Sequence, residues 1–144
     1  MNQNFRALKI SPCQIVNMDE TNIYYNLASL TTLEFQGSRT VSIRSTGSSE
    51  RVSIILAVTM DGRKLPPFLV FKGVPTGRIV REGPDTYPVG QYYAVQTSAC
   101  VDKERFLDWV RLVYSPFAAN AGFDTYLLLD SYRADMCSEC VHAL

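Results

Sequence analysis

Long apolar runs are missing from this 144-residue chain: the longest aliphatic stretch is Ile54 to Val58, far below the ~20 residues of a membrane span. No membrane partner is therefore expected. The opening residues Met1-Asn2-Gln3-Asn4-Phe5-Arg6 place no apolar stretch behind a basic patch, and no Asn-x-Ser/Thr sequon occurs, so no secretion signal is read. Cysteine is sparse and scattered, at Cys13, Cys100, Cys137 and Cys140, which excludes a disulfide scaffold and points to reduced intracellular thiols. Net charge is absent as well, with 14 basic and 14 acidic side chains. What remains is an apolar fraction of 47%, enough for one domain over residues 1–144 that buries roughly 68–70% of its unfolded surface.

Neutrality hides an uneven distribution. Residues 1–38 carry two bases and three acids, residues 39–81 eight bases and two acids, and residues 82–144 four bases and nine acids. A basic middle beside an acidic end can present an anion-binding face on a neutral molecule. Arg39, Arg44, Arg51, Arg63, Lys64 and Lys72 are the residues expected to contact phosphate; the alternative is a set of solvated loop charges that happen to cluster.

The apolar patterning predicts a mixed α/β domain. Cys13 to Met18 reads as a short strand ending in the carboxylate of Asp19, and Thr40 to Arg44 as a second strand by alternation. Arg51 to Thr59 is apolar on both faces, which predicts a central strand. Asp61-Gly62 predicts a hairpin into Phe68–Phe71, whose start Pro66 and Pro67 place at the sheet's periphery. Gly73 to Gly90 reads as a long loop. Asp102 is expected to cap a helix bearing Phe106, Trp109, Val110 and Val113 on one face, with Pro116 as its stop. Tyr126–Leu129 reads as a buried strand running into Asp130.

Two apolar strands thus each run into an aspartate. If they are neighbours, Asp19 and Asp130 meet at one sheet edge, where a divalent cation relieves their repulsion; Mg²⁺ or Mn²⁺ takes such hard oxygen ligands. Aspartate is also a common turn former at strand ends. The tail Cys137-Ser138-Glu139-Cys140-Val141-His142 offers three soft ligands without a fourth, so it reads as thiols rather than a zinc site, and His142 has no assigned role.

The words Asn17-Met18-Asp19-Glu20-Thr21, Ser45-Thr46-Gly47, Asp61-Gly62-Arg63-Lys64-Leu65-Pro66-Pro67-Phe68-Leu69-Val70-Phe71-Lys72-Gly73, Phe106-Leu107-Asp108-Trp109 and Leu127-Leu128-Leu129-Asp130-Ser131, in that order, resemble the DDE superfamily endonuclease domain of pogo/Tigger-type transposases. The resemblance implies a ribonuclease-H-like mixed sheet with flanking helices, whose first acid ends the first strand and whose second ends the fourth. It implies catalytic and metal-holding roles for Asp19 and Asp130, a Mg²⁺ or Mn²⁺ cofactor, DNA as partner and the nucleus as location. Glu20 and Thr21 belong to the same motif without being assigned ligands.

Departures from the family pattern bear on catalysis. The family's third carboxylate follows one more strand and sits on a helix, and the residues after Asp130 are too few for a strand of about 5 and a helix of about 11 residues. Asp135 and Glu139 lie too near Asp130 to substitute, and the family's amino-terminal helix-turn-helix region has no counterpart. The expectation is a fragment truncated before the fifth strand and C-terminal helix, with two of three acids, that binds DNA and lacks the full catalytic set. Tyr126–Leu129 would then be an exposed apolar edge prone to self-association. Two further readings stand beside it: an active Mg²⁺-dependent endonuclease or transposase when completed by a longer product or second chain, and a non-catalytic interaction module.

Overall fold

The structure, a computed structural model, describes residues 10–25, 36–37, 50–83 and 86–130. Alternating β-branched and apolar residues form the strands β1 (Ile15–Tyr24), β2 (Arg51–Thr59), β3 (Phe68–Lys72), β4 (Tyr92–Gln96) and β5 (Tyr126–Leu128), and the helices are α1 (Arg78–Glu82), α2 (Lys103–Trp109) and α3 (Ser115–Ala121). The strands form one mixed sheet in the order β4-β3-β2-β1-β5. β2 runs antiparallel to β1, from Val16↔Thr59 to Tyr24↔Arg51, and to β3, from Val52↔Phe71 to Ile55↔Phe68. β4 lies parallel to β3 and β5 parallel to β1. Among the described residues, four strands therefore run one way and β2 the other, an arrangement compatible with a ribonuclease-H-like fold.

One face of the sheet is covered by the long helical segment between β4 and β5. Val16, Met18, Ile55, Ala57, Phe68 and Val70 pack there against Phe106, Trp109, Val110, Val113 and Tyr114. Phe106, Trp109 and Val110 are fully buried, and each large side chain so placed contributes about 1.5–3 kcal/mol of burial. The Asp102 carboxylate caps α2 as expected, accepting from the Arg105 N–H at 3.0 Å.

Several expectations are corrected. Asp19 does not end its strand: β1 continues to Tyr24 because β2 pairs along it as far as Arg51, so Asp19 sits mid-strand. Pro116 does not stop the helix. Val110–Tyr114 forms a π-helical turn in which Ser115 N–H reaches Val110 O. Pro116 then enters the first turn of α3, where a missing N–H costs little. The helix ends instead at Gly122, whose φ of +73° suits glycine.

The 73–90 segment holds the short helix α1, and Tyr92–Gln96 is a strand the patterning had not assigned. That extra strand pairs with β3, so β3 lies inside the sheet rather than at its periphery, and 126–128 is the fifth strand among the described residues. Nor is β5 buried: Tyr126 and Leu128 are 43% and 42% exposed, since β5 has a neighbour on one side only among the described residues. The central position of β2 and the hairpin at Asp61-Gly62, with Gly62 at φ +95°, stand as expected. The strand read at Thr40–Arg44 and the tail Cys137–His142 lie outside the described residues; Cys13 and Cys100 are free thiols.

Candidate functional site

Because β1, β3, β4 and β5 share a direction, their carboxyl ends gather at one edge, the usual location of ligand crevices in open α/β sheets. A cleft of about 330 Å³ opens there between the ends of β1 and β2, the loop before α2 and the residue that follows β5 by two; Asp19, Glu20, Asn22, Arg51, Ser53, Cys100 and Asp130 line it. Strand register explains how Asp19 and Asp130, remote in sequence, share this cleft. β1 and β5 pair at Asn17↔Leu128, and each aspartate lies two residues further on along its own chain. Neighbouring strands are about 4.8 Å apart. Both aspartates are exposed to solvent, and Asp19 Oδ1 accepts the Glu20 N–H at 2.8 Å.

The opposite wall is built by long-range polar contacts. Arg51 donates to Tyr24 Oη at 3.3 Å and to Cys100 Sγ at 3.1 Å. Those two hydrogen bonds, Tyr24 first, raise the guanidinium pKa above its ordinary value; like any arginine it stays a cation. The buried Ser53 hydroxyl has two acceptors within reach, the Asn22 side-chain carbonyl at 2.6 Å and the main-chain carbonyl of Ala99, and its single proton is donated to one of them at a time. Ala99 is fully buried with φ +54°, a left-handed conformation that costs an L-residue about 1–2 kcal/mol. Gln96 holds it there. Its side-chain carbonyl accepts from Ser98 N at 2.6 Å and Ser98 Oγ at 2.7 Å, and its own carbonyl accepts the Ala99 N–H at 3.1 Å. The strained turn aims Cys100 into the cleft.

The basic residues singled out from the sequence do not form one strip. Arg51 lines the cleft, and Lys72 stands at the same sheet edge, one residue beyond the Val52↔Phe71 pair. Arg63 and Lys64 are in the β2–β3 hairpin at the other end, a β2 length of about 27 Å away. There the Arg63 guanidinium lies 6.0 Å over the Phe117 ring. Arg39 and Arg44 lie outside the described residues. Asn22, Ser53 and Cys100 escaped sequence reasoning, and no local motif marks them; Arg51 was found through its charge, although its cleft partners were not foreseeable.

Three carboxylates, Asp19, Glu20 and Asp130, line the open cleft, and Asp19 with Asp130 fits a small hard dication, which is commonly held by one or two carboxylates with water and substrate phosphate completing its shell. No cluster of three or more His, Cys, Asp or Glu side chains suited to a metal ion occurs among the described residues. No helix among them is long and apolar enough to cross a membrane.

Comparison with known proteins gives a consistent picture. The profile described as "DDE superfamily endonuclease" matches residues 49–142, about two thirds of the chain, taking in Asp130 and beginning after Asp19. The human protein "Pogo transposable element with KRAB domain" is 28% identical over 112 residues, covering 76% of this chain and 17% of its own length. The mouse protein of the same name is 28% identical over 104 residues, 70% of this chain and 16% of its own length. The chain thus spans about one sixth of the length of these relatives. No solved structure matches it significantly.

Proposed function

Since this chain belongs to the DDE superfamily of endonucleases, we propose that it binds DNA across the carboxyl edge of its sheet, with Asp19 and Asp130 as the acids that hold Mg²⁺ or Mn²⁺. The observation that carries this reading is the shared cleft: two remote aspartates and the permanent cation of Arg51 face one opening. A bound dication there would supply Lewis-acid polarisation of a phosphodiester. The chain's own groups have separate tasks. Arg51, fixed by Tyr24 and Cys100, and Lys72 contact the phosphates. Asn22 and Ser53 hold the wall against which the backbone lies.

Strand cleavage needs a third carboxylate able to share the dication with Asp19 and Asp130; Glu20 also lines the cleft but is Asp19's immediate neighbour on β1, where successive side chains point to opposite faces. Two carboxylates in water hold a dication weakly, and loss of one member of a catalytic set commonly costs orders of magnitude in rate. A DNA-binding role would place the protein in the nucleus, and β5, which has a strand on one side only among the described residues, would offer its free edge to a second copy.

Fluorescence anisotropy with a duplex DNA tests the reading. Affinity should fall steeply as salt rises, without sequence preference. Added Mg²⁺ should strengthen binding in the unmodified chain, and Asp19→Asn and Asp130→Asn should abolish that increment. Absence of DNA binding at low salt, or a Mg²⁺ increment untouched by both substitutions, overturns it. Sedimentation of the same samples reads self-association as a weight that rises with concentration.

A further inference from the structure

A second cavity, of about 260 Å³, opens at the same carboxyl edge on the far side of β3 and β4. One wall is a cluster of three rings. Tyr87 and Tyr93 have centroids 4.6 Å apart, Phe71 and Tyr87 5.5 Å, and Phe71 and Tyr93 6.1 Å with planes only 11° apart. Ile79 of α1 faces them, and the Arg105 guanidinium, anchored on Val95 O at 3.2 Å, reaches round the edge strand into the cavity.

The rings are held in place before any ligand arrives. Tyr93 Oη donates to Pro88 O at 2.9 Å. A Cβ at Gly83 would stand 2.5 Å from the Tyr87 ring, so only glycine lets Tyr87 close down on the neighbouring ring. Three exposed cations lie nearby: Arg78 and Arg81 flank the lining residues Ile79 and Val80 on α1, and Lys72 lines the neighbouring depression that shares Ile79. The one acid of α1, Glu82, sits 3.7 Å from Arg78 with both side chains exposed, a pairing too weak to quench that charge.

We propose that this cavity receives a single unstacked nucleobase of single-stranded DNA. Its volume falls just below the about 300–1,000 Å³ of sites for drug-sized molecules, which suits one planar ring system. Aromatic faces take any base by stacking, and the nearby cations of α1 and Lys72 complement the phosphates on either side of the base. The inference rests on the DNA-binding reading above and adds a location. The base site on β3 and β4 lies two to three strand spacings, about 10–14 Å, across the sheet from β1, and Phe71 stands level with Ile23, about 13 Å along β1 from Asp19; a strand of a few nucleotides would span both.

The test uses the full chain and two short single-stranded oligonucleotides with the same number of phosphates, one ordinary and one with abasic sites. The ordinary strand should bind about five-fold to a hundred-fold tighter, the range expected for stacking one base. Tyr87→Ala and Tyr93→Ala should erase that difference while Tyr93→Phe keeps it. Equal affinity of the unmodified chain for both strands overturns the base site and leaves the DNA-binding reading standing. Binding of neither strand, with duplex also unbound, overturns both. Should an alanine variant fail to fold, the abasic comparison on the unmodified chain decides alone. Capture of a proline-rich peptide by the same rings, in place of the ordinary strand, also overturns it.

Discussion

The two ends of the sheet use the same kinds of side chain on opposite plans. At the hairpin end, Thr59 Oγ1 donates to the Asp61 carboxylate and accepts the Arg63 N–H at 2.9 Å, while the Gly62 N–H closes on Thr59 O at 2.8 Å. The side-chain bonds there join residues 2 and 4 apart. At the carboxyl end, the bonds made by Arg51 and Ser53 span 27 to 49 residues. A turn that satisfies itself locally has nothing left to offer a ligand. A wall assembled from β1, β2 and the 97–102 loop fixes polar groups from separate segments around an opening. Such fixed groups on a rigid sheet are what binding sites are made of.

The largest expected effect sharpens the structural half of this contrast. Thr59 is buried, 2% exposed, and Thr59→Val leaves the Arg63 N–H and the Asp61 carboxylate without their hydroxyl. A loss of about 2 kcal/mol in urea unfolding is expected, with DNA affinity unchanged once the protein is folded. A fall in affinity at full folding would break the contrast.

The next prediction tests the other half. Arg51→Glu should weaken DNA binding about ten-fold, about 1.4 kcal/mol, and flatten its salt dependence, since one phosphate contact is lost. Arg63→Glu, which changes net charge equally at the hairpin end, should stay within about two-fold. Matching losses in the two variants would mean that binding reads overall charge and not the cleft.

How much of this was legible beforehand follows the same division. The hairpin announced itself through Asp61-Gly62, and the helix through Asp102 and the spacing of Phe106, Trp109, Val110 and Val113, because those signals are local. The limits of β1 were not legible: the strand's length is set by β2 pairing beside it, and Asp19 looks terminal only when that partner is out of view. Pro116 is a helix stop by local rule, overridden by a π turn that its neighbours' packing on the sheet supports. Tyr92-Tyr93-Ala94-Val95 carried a strand signal that the surrounding Gly and Pro residues obscured. Asp19 and Asp130 could be named from strand-end position and family resemblance. Asn22, Ser53 and Cys100 could not, because each acquires its place from a contact more than thirty residues away or from a left-handed turn at Ala99.

The smallest effect concerns the acid sensitivity of the hairpin. The Thr59 hydroxyl bond, with lesser help from the Arg63 N–H and charge, lowers the Asp61 pKa below its ordinary 3.8. A carboxylate whose pKa is depressed on folding lends its stability above the unfolded value and loses it as pH falls through the folded one. The contribution is therefore complete at neutral pH and fades below about pH 4. Asp61→Asn removes the titration, so the melting temperatures of the two proteins should differ most at neutral pH and converge on acidification. Because Asp61 is exposed, salt should shrink the difference as well. A gap that widens toward acid would mean that the turn is held by the protonated side chain, and the hairpin end would then be no simpler than the carboxyl end.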